Sequence, residues 1–223
     1  DARPLKGLDV LQVKDMQHFN IPDDLPTFSQ SKAQWPRSRE IYQAPLLIVK
    51  EMLLGSPRVL AAVSERDLVF TNSYFAVSLP RGHTRTAHLL ATVLSSAFAT
   101  WFFYLTAAEF GIYKRKLLAR DLSFLPVPNF TSAVKSEAGQ RLLQIEKNLR
   151  ANGTDERGWA ELDEAVFDLY ELNDADRTVI RDGLLRAGWQ WETGRESSVE
   201  PSDSRTEVTA YAKTFLSVIE DWL

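Results

Sequence analysis

The sequence predicts an α+β protein in which a β-rich N-terminal half, organised by one long helix, is followed by a helical C-terminal half. Three observations carry that expectation. Between residues 46 and 79 the apolar positions form short runs rich in Val, Phe and Tyr, residue types that suit a pleated surface. From 86 to 107 they fall instead in pairs at helical spacing: Leu89/Leu90, Val93/Leu94, Ala97/Phe98, Trp101/Phe102, then Leu105. Beyond Pro128 the pattern becomes amphipathic and the charge turns acidic.

Residues 1–43 read as an irregular segment, because Pro22, Pro26 and Pro36 punctuate it together with Asp23-Asp24 and Ser29-Gln30-Ser31. Strands are expected at 46–50, 59–64 and 68–79, separated by the turn formers Gly55-Ser56-Pro57 and Glu65-Arg66-Asp67. The long helix at 86–107 carries small residues, Ala91, Ser95, Ser96, Ala99 and Thr100, that would let another element approach its backbone. Pro126 and Pro128 make 121–128 lead into an extended segment, since neither continues a helix and each restricts the residue before it. Three helices are then expected: 136–151, closed near Gly153; 155–172; and 174–187, capped by Asn173 and Asp176 and stopped by Gly188. Residues 193–203 have a linker's composition. A last helix, 204–222, has capping-box spacing at Ser204 and Glu207, and places Val208, Tyr211, Ala212, Phe215, Ile219 and Trp222 on one face. The resulting division is an irregular segment at 1–43, a β-rich core with the long helix at 44–130, a helical subdomain at 131–192, a linker at 193–203 and a C-terminal helix at 204–223.

A chain of 223 residues, 44% hydrophobic, can bury a sizeable core and is not disordered throughout. It starts at Asp1 with no initiator methionine and reads as a fragment of a longer polypeptide. The absence of cysteine excludes disulfides, thiolate metal sites and thiol nucleophiles, and points to a reduced, cytoplasmic setting. Residues 87–108 are the one stretch apolar enough to consider as a membrane span. Thr92, Ser95, Ser96, Thr100 and Thr106 dilute it, and a membrane partner is rejected. The net charge of −4 hides an asymmetry: residues 31–130 hold 12 Lys+Arg against 6 Asp+Glu, whereas 131–223 hold 11 against 19. A basic half can engage a polyanion even on an acidic chain, because local potential steers the encounter.

Little in the chain offers catalysis. There is no Gly-rich phosphate or dinucleotide cradle and no G-x-S-x-G elbow. His18, His83 and His88 lack metal-ligand spacing, and no acidic residue lies beside His83 or His88 in the sequence, so no metal is expected. The carboxylate pairs Asp163/Glu164 and Asp174/Asp176 fit solvated helix faces or caps. No catalytic residue is assigned. What stands out is basic residues interleaved with aromatics: Trp35, Arg37 and Arg39 in the early segment, Arg81, His83 and Arg85 before the long helix, and Lys114, Arg115, Lys116 and Arg120 after it. In loops, such cations neutralise phosphates and fix register, and one that reaches a base edge specifies sequence. These ten residues are the DNA-binding candidates.

Three segments within 44–128 together resemble a known family. Leu47-Ile48-Val49-Lys50 is followed by an R-x-x-A-x-x-S-x-x-D-x-x-F pattern from Arg58 to Phe70, then by Leu94-Ser95-Ser96 in the long helix, then by Asp121 to Pro128 as D-L-x-x-L-P-V-P. The order resembles the C-terminal target-recognition region of adenine-specific DNA methyltransferases, the TaqI-like specificity domain of restriction-modification enzymes. Ser95 stands where that family carries asparagine. Downstream, Leu162 to Leu172 is similar to the family's closing helix with its tyrosine-leucine ending, so the resemblance covers roughly 44–185. It implies a module that reads double-stranded DNA and presents a flipped adenine to a methyltransferase domain elsewhere in the parent chain or on a partner subunit. The parent would use S-adenosylmethionine. This fragment lacks the F-x-G-x-G and N/D-P-P-Y/F elements and is expected to bind no cofactor and to transfer no methyl group.

The principal alternative is a protein–protein interaction module that docks through the acidic helical half. A hydrolase remains open by inventory only, since Ser, His and Asp are all present.

Overall fold

The N-terminal half is built around a strand buried on both faces. A computed structural model describes residues 1–33, 38–53, 58–110 and 116–193, with Thr209 and Lys213. In it β2 (Leu46–Lys50) is the middle strand of an antiparallel sheet between β3 (Ala61–Ser64) and β5 (Tyr74–Ser78). Leu47 lies opposite Val63 and Val77, and Val49 opposite Ala61 and Phe75. Successive side chains of a strand point to opposite faces. Leu47, Val49, Ala61 and Val63 therefore enter a core shared with the helices, while Leu46, Ile48 and Ala62 enter a second core beneath the N-terminal segment. Burial on both faces is why β2 reads as an unbroken apolar run rather than an alternating one.

The second core gives residues 1–33 more structure than their composition implies. Regular elements are sparse there, as expected: a 3-10 turn at Arg3–Leu5 and a short strand, β1 (Asp9–Leu11). Yet β1 pairs in parallel with β4 (Leu68–Phe70), Asp9 beside Leu68 and Leu11 beside Phe70. Backbone bonds from Gly7 to Phe28 and from Val10 to Pro26 close the segment on itself, and Leu5, Leu11, Met16 and Leu25 pack against Tyr42, Phe70 and Tyr74. The single strand expected at 68–79 is two, because a turn at Thr71, closed by the Tyr74 N–H, sends β4 to one sheet and β5 to the other.

The α+β class holds, with strands in the N-terminal half and helices in the C-terminal half. The long central helix, however, is a bent pair: α1 (Thr84–Ser95) and α2 (Ala97–Thr106), inclined by 63°. Ser96 between them is extended and uses its Oγ to accept the Ala99 N–H at 3.2 Å, while Asp163 accepts the Ala97 N–H at 2.7 Å. The apolar period runs unbroken through Ser96, so nothing in the local pattern marks the bend. No helix among the described residues is long and apolar enough to cross a membrane.

After the short helices α3 (Ala119–Leu122) and α4 (Phe130–Ala133) come α5 (Glu137–Asn152), α6 (Glu156–Leu169) and α7 (Asp174–Thr193). Their starts follow local chemistry. Ser136 accepts from Gly139, Asp155 from Gly158, and Asn173 and Asp176 cap each other reciprocally at 2.9 and 3.2 Å. Gly153, at φ +85°, ends α5 as expected. Gly188 does not end α7. An interior glycine costs a helix only about 1 kcal/mol relative to alanine, too little by itself to stop one. The helix α1 lies over β3 and against α5, and α7 lies against α2. At Gly183 a Cβ would come within 2.8 Å of the Trp101 ring, so the approach of α7 to α2 requires glycine. The linker expected at 193–203 and the helix expected at 204–222 lie almost wholly outside the described residues.

Candidate nucleic-acid interface

The chain leaves β5 through a tight turn in which the His83 N–H bonds back to the Pro80 carbonyl at 3.1 Å and Gly82 adopts φ +87°. A positive φ at the third turn position is what glycine permits, and the turn leaves Arg81 exposed at the second. His83 is the N-cap residue of α1, and Arg85 occupies its first turn. Arg85 donates to Gln140 Oε1 at 2.6 Å, and Gln140 donates in turn to the Val134 carbonyl at the α4–α5 corner. That corner carries the exposed Lys135. Arg81, His83, Arg85 and Lys135 are thus gathered where the β5–α1 loop meets the α4–α5 corner.

Two features bear on what this corner could bind. The first is charge balance. Among the described residues, neither Arg81, Arg85 nor Lys135 pairs with a carboxylate, whereas Arg3, Arg58, Arg66, Lys116, Arg141, Arg157, Arg177 and Arg181 each do. The second is position. A cation in the first turn of a helix opposes the macrodipole at a cost of roughly 0.3–1 kcal/mol. The first turns of α5, α6 and α7 carry Glu137, Glu156 and Asp174 with Asp176, in line with that rule, but the first turn of α1 has no acid and carries Arg85. Arg85 therefore sits where the helix's own dipole disfavours a cation.

The other sequence candidates separate. Arg39 bonds the Pro4 carbonyl at 3.2 Å and ties its 3-10 turn to the N-terminal segment. Lys116 is held by Glu51 at 3.0 Å, and this bond and charge raise its pKa, while its backbone bridges to Met52. Arg120 is exposed, 3.8 Å from Asp121. Trp35, Arg37, Lys114 and Arg115 lie outside the described residues. Lys135 escaped sequence reasoning because it stands alone, fifty positions from Arg85 in the chain, and only the Gln140 relay joins them.

The residues that carry the family resemblance work mainly in packing. Arg58 makes a two-pronged bond to Asp163, at 2.9 and 2.6 Å, reaches the Ser95 carbonyl at 3.2 Å and stacks on Trp159. Ala61 is fully buried, Ser64 closes the β3–β4 turn on the Arg66 carbonyl, Asp67 accepts the Ala44 N–H, and Phe70 meets Tyr42 edge-on. Asp163, read from sequence as part of a solvated face, is the half-buried hub that joins Arg58 to the α1–α2 bend. Tyr170 stacks on Phe98 with centroids 4.4 Å apart and donates to the Pro126 carbonyl at 2.7 Å; its burial pushes the phenol pKa up.

The histidines divide. His88, with no acid near it in sequence, meets Glu146 at 3.0 Å and Glu65 at 3.5 Å, both brought from distant elements. His18 sits edge-on to Trp159 at 4.8 Å, where burial, reinforced by Arg58, lowers its pKa to about 4. A polar cleft of about 400 Å³ beside His88 is lined by Asn20, Asp23, Glu65, Arg66 and Arg150. Its cations are matched by acids: Arg66 with Asp9 and Asp23, Arg150 with Glu146. Among the described residues no cluster of His, Asp or Glu is arranged to hold a metal.

No family model matches the chain, and no curated protein matches it. Among solved structures, it is similar to the Type IIL restriction-modification enzyme MmeI, in complex with DNA. The match covers 69% of this chain and 22% of that one, at 11% identity and a TM-score of 0.43. This chain therefore aligns with less than a quarter of that enzyme's length.

Proposed function

We propose that this chain is the DNA target-recognition part of an adenine-specific methyltransferase or restriction-modification enzyme. It binds the duplex, and a catalytic domain in the parent chain or a partner subunit binds S-adenosylmethionine and transfers the methyl group. The observation that carries the reading is the cluster of Arg81, Arg85 and Lys135 around the N-terminus of α1, none of them in an ion pair among the described residues. A helix start that carries a cation and no acid suits a phosphate backbone, because charge and backbone N–H groups then act on the same anion. The family resemblance supplies the reaction; the cluster supplies the surface.

Binding to a short fluorescein-labelled duplex of mixed sequence, followed by anisotropy over a salt series, tests the reading. If each of the three cations neutralises one phosphate, the Arg81→Ala, Arg85→Ala, Lys135→Ala triple variant should lower the log–log salt slope by roughly 3, at about 0.9 per contact, and weaken all sequences alike. A slope and affinity equal to wild type would place the cluster away from DNA and overturn the reading.

A further inference from the structure

The segment between α3 and α4 presents an aromatic ring to solvent on a backbone that is held at several points. Phe124 is 68% exposed and Val127 52%, while Leu125 between them is buried. Buried Asp121 accepts the Leu118 N–H at 2.8 Å and its own carbonyl receives the Phe124 N–H, Ser123 closes on the Arg120 carbonyl, and Tyr170 holds the Pro126 carbonyl. Pro126 and Pro128 fix their own φ and restrict Leu125 and Val127. A loose loop could fold Phe124 inward; this one, anchored on both sides of the ring, holds it outward.

Its surroundings favour nucleic acid over an apolar protein surface. Exposed Arg120 lies one helical turn before Phe124. Downstream, the chain enters α4, which packs on α1 and leads into Lys135. Six residues from Phe124 to Phe130 span at most about 20 Å of extended chain, so the ring lies within reach of a duplex held at the basic corner.

We infer that Phe124 is a wedge that enters the base stack of duplex DNA, flanked by Val127 on the apolar side and by Arg120 toward the phosphates. The inference rests on the DNA-binding reading above and deepens it. Apolar side chains inserted at a base step partly unstack it and kink the helix, and an anchored backbone leaves only the side-chain rotamer to be fixed in doing so. The wedge distorts the duplex, whereas the basic corner only holds it.

The two roles separate experimentally. Phe124→Ala removes an exposed ring and should leave folding intact, as thermal unfolding can verify. It should weaken binding to the labelled duplex about tenfold, within the range of base–aromatic stacking, and leave the salt slope unchanged. Closed-circular plasmid relaxed by a topoisomerase in the presence of wild-type protein should show a shift in linking number, which Phe124→Ala abolishes and Phe124→Leu largely keeps. If Phe124→Ala matches wild type in affinity and linking number while the triple cation variant loses affinity, the wedge is overturned and the DNA reading stands. If wild type binds neither duplex nor plasmid, the DNA reading fails and the wedge with it.

Discussion

His18 shows how a single side chain can couple this fold to pH. Its ring is packed on Trp159 with Arg58 close by, and its pKa falls from 6.5 to about 4. The unfolded chain takes up a proton on this ring below about 6.5, and the folded chain does so only near 4. The contribution of the neutral ring is therefore fully present above about 6.5 and shrinks as pH falls toward about 4. The midpoint of urea unfolding should drop across that window, and His18→Phe should flatten the drop. A variant with the same pH profile as wild type would assign the effect to other groups. From the sequence, His18 was legible only as a histidine without metal-ligand spacing, because its neighbours Trp159 and Arg58 are brought in from far along the chain. Lys135 and the carboxylates around His88 were hidden for the same reason.

Among the elements, those fixed by local chemistry were the readable ones. β2 has the bounds its apolar run implied, and α5, α6 and α7 start where Ser136, Asp155 and Asn173 stand ready to cap them. The α1–α2 bend was not readable, because one of its stabilising acceptors, Asp163, comes from α6. That dependence has a measurable consequence. Asp163→Ala should cost about 3 kcal/mol, since it strips a half-buried guanidinium of its bidentate partner and leaves the Ala97 N–H without an acceptor. Asp163→Asn keeps an oxygen for the cap and should cost less. Chemical denaturation of both variants checks the order, and equal losses would mean that the cap contributes nothing beyond the ion pair.

At the scale of the whole molecule, the sheet joins two cores, and the N-terminal segment is one side of that arrangement. Removing residues 1–33 would uncover Leu46, Ile48, Leu68, Val69, Phe70 and Tyr74, an apolar surface too continuous to leave in water. The shortened chain should lose its cooperative thermal transition and aggregate; an unchanged transition would make the segment an appendage. Proline spacing made this part of the chain look merely irregular. Its backbone does lack long regular elements, but its apolar residues, Leu5, Leu11, Met16 and Leu25, are spaced to pack rather than to repeat, and no periodic template detects that.

Burial of β2 on both faces also changes what keeps its neighbours aligned. In a sheet with one wet face, sliding a strand by one residue would drive polar groups into the core, and that penalty locks the pairing. Here Leu47 and Ile48 would simply trade one apolar environment for another. Alignment must come from shape and from the ends: Ala61 and Ala62 leave room that bulkier Val63 would overfill, Lys50 and Ser78 need the rim, and the Asp67 carboxylate holds the Ala44 N–H just before the strand begins.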